Sequence, residues 1–185
     1  MNVLDFYNDR MEEVTFNGQS DKVLALRRGK SMSPTTIADG KVFCSHIDTP
    51  IKNGDMITRP NGDRYFIIAK QSSGECIQMQ GRRINAEVKI YELVDEYVNR
   101  KKVGTMVHLL WSDVPVYYVD VSAAMNAYDA GLLPTTVKKL IIEPSMDVKL
   151  FHRIELNGKN YQVNSINTGK YVGLLEVQVG EDTRQ

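Results

Sequence analysis

Residues 61–68, Asn-Gly-Asp-Arg-Tyr-Phe-Ile-Ile (NGDRYFII), and residues 157–163, Asn-Gly-Lys-Asn-Tyr-Gln-Val (NGKNYQV), spell one element twice. Asn-Gly accepts the positive φ of a type I′ turn, whose twist suits the two strands it joins. In the first copy Tyr65 follows Gly62 by three residues and Ile67 alternates with it; in the second, Tyr161 follows Gly158 and Val163 alternates. Residues two apart on a strand share a face. Each copy therefore predicts an aromatic and a β-branched side chain packed into one core.

The likeness extends outward. GDMITR, opening on Gly54-Asp55, precedes Asn61-Gly62, and a polar turn KQSSG then leads to ECIQMQ. LFHRIEL precedes Asn157-Gly158, and SINTG then leads to YVGLLEVQV. Repeated flanks predict two related β modules, residues 14–95 and 96–185. An amphipathic helix is expected within residues 1–13, where Leu4, Tyr7 and Met11 stand at helical spacing. Short strands divided by Gly, Pro, Asn and Ser clusters indicate a barrel or sandwich rather than alternating α/β units. Asn17-Gly18 marks a further hairpin. The polar residues 28–40 read as a loop. The charged stretch DEYVNRKKVG, residues 95–104, reads as the connection between modules. Ser122 is placed to N-cap a short helix near 122–131, with Gly131 at its stop and Pro134 beyond. The fold class expected is mostly β: two small barrel- or sandwich-like modules with a short N-terminal helix.

With 185 residues the chain can bury a substantial core. Its 23 basic and 23 acidic side chains cancel, which argues against a dedicated electrostatic nucleic-acid binder. No run of about 18 apolar residues predicts a membrane helix. The acidic start MNVLDFYNDRMEE lacks the basic opening and apolar centre of a signal peptide. Cys44 and Cys76 read as two reduced, half-buried thiols.

Candidate chemistry is sparse. GKSMSPTTIADG resembles the Ser-Met-x-Pro segment of Ser/Lys peptidases, in which burial lowers a lysine pKa until it can deprotonate the serine. Ser31 would be that nucleophile and Lys70 its base. Asp39-Gly40 reverses the expected Gly-Asp, Thr36 stands where an aliphatic is usual, and nothing after Lys70 continues the pattern. Cys44 and His46 alternate on a strand, yet no second ligand pair joins them, and His108 and His152 lie alone in apolar strands. Gly54-Asp55 and Gly62-Asp63 read as turns, since a calcium loop needs denser acids. Trp111, Tyr117 and Tyr118 could stack a sugar or a single-stranded nucleic acid, although such clusters are more often core or interface. Neither a cofactor nor a metal is expected, and the reading is non-enzymatic.

Residues 51–73, IKNGDMITRPNGDRYFIIAKQSS, and residues 148–182, VKLFHRIELNGKNYQVNSINTGKYVGLLEVQVGED, resemble a segment common in neck proteins of tailed phages. These are the head–tail connector, head-closure and stopper-like proteins, chiefly from phages and prophages of Gram-positive hosts. The residues that carry the resemblance are Gly54, Asp55, Asn61, Gly62, Tyr65, Asn157, Gly158 and Tyr161. The resemblance implies a virion structural protein, assembled in the host cytoplasm into a homo-oligomeric ring. The ring would join portal or adaptor proteins to tail proteins and close the DNA exit. It implies passive contact with packaged DNA, no sequence-specific nucleic-acid binding and no membrane. Open sheet edges are the expected means by which copies recruit one another.

Overall fold

The computed structural model describes residues 3–26 and 40–184. Two compact units divide the chain: Met1–Ile84 with Tyr171–Leu174, and Asn85–Lys170 with Leu175–Gln185. Each unit is built on a closed six-stranded antiparallel barrel.

The first barrel comprises β1 (Glu12–Phe16), β2 (Gln19–Leu26), β3 (Gly40–Ser45), β4 (Met56–Thr58), β5 (Arg64–Ser73) and β6 (Cys76–Arg83). Around the wall the order is β1-β2-β3-β6-β5-β4. The closing seam is one residue pair, Thr15 with Thr58. Arg59 reinforces it with a two-pronged grip on Glu12, 2.6 Å and 3.0 Å, a geometry that gives arginine–carboxylate pairs strength and direction. Inside, Phe43 and Tyr65 meet edge to face at 5.3 Å, packed with Val14, Ile57, Ile67 and Met79.

The second barrel comprises β7 (Ala86–Val98), β8 (Lys101–Asp120), β9 (Lys138–Ile142), β10 (Arg153–Leu156), β11 (Lys159–Tyr171) and β12 (Leu174–Glu181). A short helix, α1 (Ala123–Tyr128), lies between β8 and β9 and is capped by Ser122 Oγ, which accepts from the Met125 N–H at 3.2 Å. The helix ends at Tyr128 rather than running on to Gly131. The wall order is β10-β11-β12-β9-β8-β7. Numbered from the first strand of each barrel, both closed walls read 1-2-3-6-5-4. One architecture is built twice.

The repeated sequence element occupies the same place in both, the fourth-to-fifth-strand hairpin. Tyr65 and Tyr161 are buried there, as are Ile67 and Val163. Ahead of each hairpin the backbone repeats too. The Gly54 N–H donates to the Ile67 carbonyl and the Ile67 N–H to the Asp55 carbonyl; Phe151, Val163 and His152 repeat both bonds. Two residues facing one, the first at positive φ, form a β-bulge of the glycine type: Gly54 has φ 90° and Phe151 φ 69°. Asp55 Oδ2 accepts from the Lys52 N–H at 2.7 Å, and His152 Nδ1 accepts from the Lys149 N–H at 3.3 Å. Behind them Ile51 and Val148 are both buried.

Several expectations need correction. The N-terminal helix is a 3₁₀ segment, Val3–Arg10, because barrel closure draws the chain into strand from Glu12 onward. The boundary between units falls after Ile84 rather than after residue 95, because 95–104 is no linker but the tip of the β7–β8 hairpin. Asn157 and Gly158 both have positive φ, as a type I′ turn demands, but of Asn61 and Gly62 only Gly62 does. Pro60 adds a third loop residue, and the Gly62 N–H returns to the Arg59 carbonyl, giving a type I turn followed by a left-handed glycine. KQSS and SINTG are strand; the chain reverses at Gly74-Glu75 and, past SINTG, at Val172-Gly173. The barrels are closed, so their walls offer none of the open edges expected.

Candidate functional site

The first hairpin of each barrel shows where the two copies diverge. In the first barrel β1 and β2 run 5 and 8 residues and turn at Asn17-Gly18. In the second, β7 and β8 run 13 and 20 residues and turn at Asn99-Arg100. Both turns are two residues long with both φ positive. Beyond the pairing of Tyr91 with Leu109 the long hairpin leaves the barrel wall as an arm. The further residues, 92–98 on β7 and 101–108 on β8, amount to roughly 25 Å.

The arm's surface is unlike that of an ordinary solvent-facing hairpin. Val103 is 57% exposed, Leu109 54% and Trp111 43%, and Val94, Met106 and Val107 are also open. Cross-strand pairs share a face. Leu93 with Val107 and Tyr91 with Leu109 make one side apolar, and Val94 with Met106 puts apolar groups on the other. A two-stranded ribbon is only marginally stable in water, so its polar contacts matter. Asp95 pairs with Lys102 at 2.7 Å and accepts from Thr105 Oγ1 at 3.0 Å; Lys102 first, then Thr105, holds its carboxyl below the ordinary range. At the base the Tyr91 hydroxyl donates to Glu155 at 2.8 Å, lowering the Glu155 pKa and raising its own. Register shifts at Val88/Ile90, Ile90/Tyr91 and Glu96/Tyr97 bend and twist the ribbon.

The arm also carries free strand edges. β7 meets β10 only at Lys89, Ile90 and Tyr91, and β8 meets β9 only from Tyr117 to Asp120. Past those points, among the described residues, the outer edges of residues 92–98 and 101–111 face no strand. Their charges are segregated. Glu92, Asp95 and Glu96 lie on β7; Arg100, Lys101 and Lys102 lie on the turn and β8. Such an element suits main-chain pairing with another polypeptide, with alternate side chains supplying selectivity.

The residues singled out from the sequence distribute as follows. Gly54, Asp55, Asn61, Gly62, Tyr65, Asn157, Gly158 and Tyr161 build the repeated hairpin and its bulge. Ser31 lies outside the described residues. Lys70 Nζ donates to the carbonyls of Ile51 at 2.7 Å and Thr49 at 3.3 Å, a backbone-capping arrangement. Tyr117 is buried, so Trp111, Tyr117 and Tyr118 do not form one exposed stacking platform. Tyr118 instead has the Lys138 ammonium over its ring at 4.9 Å. His152 sits in the second bulge, and burial lowers its pKa. Among the described residues no His, Cys, Asp and Glu group could hold a metal.

Cys44 and Cys76 are neighbours on the outer wall of the first barrel, lining an apolar hollow of about 460 Å³ with Leu4, Tyr7 and Leu24. Burial first, then the adjacent Cys76, pushes the Cys44 thiol up to about 11, which suits an inert thiol. The arm was not legible as a site because residues 95–104 read as a connection between modules; the strand-forming residues on both sides of Asn99-Arg100 are the signal that could have revealed it. No protein-family model, curated protein or solved structure matches the chain.

Proposed function

We propose that this chain is a virion structural protein of a tailed-phage neck, forming a homo-oligomeric ring that joins portal or adaptor proteins to the tail and closes the DNA exit. The observation that carries this reading is the apolar β7–β8 arm projecting from a closed barrel. Closed walls leave no edge for association, so the projecting hairpin is the element suited to it. Contiguous exposed apolar surface on a neutral scaffold marks an interaction site. A head-to-tail contact whose rotation closes yields a ring. Zero formal net charge suits a lumen through which DNA must pass without tight binding. The protein acts by assembly rather than catalysis, in the virion, after folding in the host cytoplasm.

Electron microscopy and native mass measurement of the purified protein, alone and mixed with portal and tail components of its phage, test the reading. Rings or discrete co-complexes are expected. They should vanish when residues 92–108 are replaced by Asn-Gly, while far-UV circular dichroism still reports the barrels. Ser31→Ala should assemble like the parent. A chain that stays monomeric beside every neck component overturns the reading.

A further inference from the structure

Two free edges of opposite charge leave one arm, and that juxtaposition says which surfaces meet. We propose that the outer edge of β7 in one copy pairs, antiparallel, with the outer edge of β8 in the next copy, so that neighbouring arms form one continuous sheet. This inference rests on the ring reading above and names its contact.

The occupant is a second copy for three reasons. Residues 92–98 carry Glu92, Asp95 and Glu96 and no base, a charge of −3; residues 100–111 carry Arg100, Lys101 and Lys102 and no acid, a charge of +3. Asp95 and Lys102 already neutralise each other within the arm, which leaves Glu92 and Glu96 on one edge to complement Arg100 and Lys101 on the other. Pairing β7 with β7 would set Glu92 and Glu96 against acids, and pairing β8 with β8 would set Arg100 and Lys101 against bases.

The edges also match in polarity. β7 ascends and β8 descends within each arm, so side-by-side arms at one level place β7 antiparallel to the neighbour's β8, the same relation they have within the chain. Finally, arms set about 4.8 Å apart at their edges would lay Leu93, Val107 and Leu109 of adjacent copies along one face, and Val94 and Met106 along the other. Neighbouring apolar side chains along each face would then shield part of one another's surface from water. The contact is heterologous and leaves a β7 edge and a β8 edge free at the ends of any open row, which ring closure removes.

The test uses the full chain with Cys44→Ala and Cys76→Ser, carrying either Glu96→Cys or Lys102→Cys, one of the two lengthened by a tag. Copper–phenanthroline oxidation of the mixed variants should give a disulfide-linked heterodimer, with far less homodimer from either variant alone. A charge swap supplies the second readout. Glu96→Lys and Lys101→Glu should each weaken assembly about tenfold, and the double variant should recover it, a recovery that a purely structural role for either side chain would not produce. Rings without the heterodimer, or a Lys102→Cys homodimer alone, overturn the edge pairing and leave the ring intact. A wild-type chain that forms no ring with any neck component overturns the ring reading and the pairing with it.

Discussion

Position 151 is where the structural repeat makes a prediction of sign. Phe151 holds φ 69° at the bulge site that Gly54 fills with φ 90°. A side chain in the left-handed region costs about 1–2 kcal/mol. Glycine avoids that cost but gives up about 0.5–1 kcal/mol through the greater freedom of its unfolded chain. Comparing Phe151→Gly with Phe151→Ala cancels the loss of the aromatic ring, which is 63% exposed. The glycine variant should therefore be more stable than the alanine variant by about 0.5–1 kcal/mol, where an ordinary strand position would favour alanine by a similar amount. Gly54→Ala should be destabilising in the same sense. There a Cβ would also come within 2.6 Å of the Gly173 carbonyl oxygen in the same unit, raising the cost to about 2 kcal/mol or more.

Urea unfolding followed by the fluorescence of Trp111, the chain's one tryptophan, reports the second unit and serves for position 151. Circular dichroism serves for position 54. Midpoints should shift at constant slope. If Phe151→Ala proves as stable as Phe151→Gly, the bulge is not strained at Phe151 and the equivalence with Gly54 fails.

Three further outcomes are expected. Burial lowers the His152 pKa below its ordinary 6.5, so the unfolded chain takes up the proton first; its stabilisation is complete above about pH 6.5 and is lost as pH falls through the folded value. His152→Asn keeps an acceptor for the Lys149 N–H and should flatten urea midpoints measured between about pH 7 and 5. Asp182→Asn should cost about 3 kcal/mol by chemical unfolding, because its fully buried carboxylate accepts from Arg153 at 2.7 Å and from Arg184 at 2.8 Å. Burial opposes that carboxylate, but Arg184 and Arg153 hold its pKa far below 3.8; the stabilisation is present above about pH 3.8 and lost below it, and the variant should lack this acid sensitivity. Ile67→Ala and Val163→Ala, at matching core positions that are both 0% exposed, should cost about 3 and about 2 kcal/mol in circular-dichroism melts.

Much of this was readable along the chain because it is local. Asn17-Gly18 and Asn157-Gly158 turn where a positive φ is tolerated, and Tyr65 with Ile67, like Tyr161 with Val163, alternates onto one face because the strand period is two. The same locality exposed the repeat as far as GDMITR and LFHRIEL. It did not reveal that Phe151 matches Gly54, because the match lies in backbone φ and in carbonyl partners, not in side-chain type. Pro60 likewise altered a turn that Asn61-Gly62 alone predicts as two residues.

The sequence by itself determined a mostly β protein of two related modules, through turn chemistry and alternation that operate within a few residues. Only the tertiary structure decided that both walls close and that β7 and β8 outrun theirs. Closure depends on Thr15 meeting Thr58 and Ile90 meeting Ile154, contacts between residues more than 40 positions apart that no local pattern encodes. Leu109 and Val177 are alike as strand residues; one is 54% exposed and the other 0%, because burial is set by what the fold places opposite a side chain.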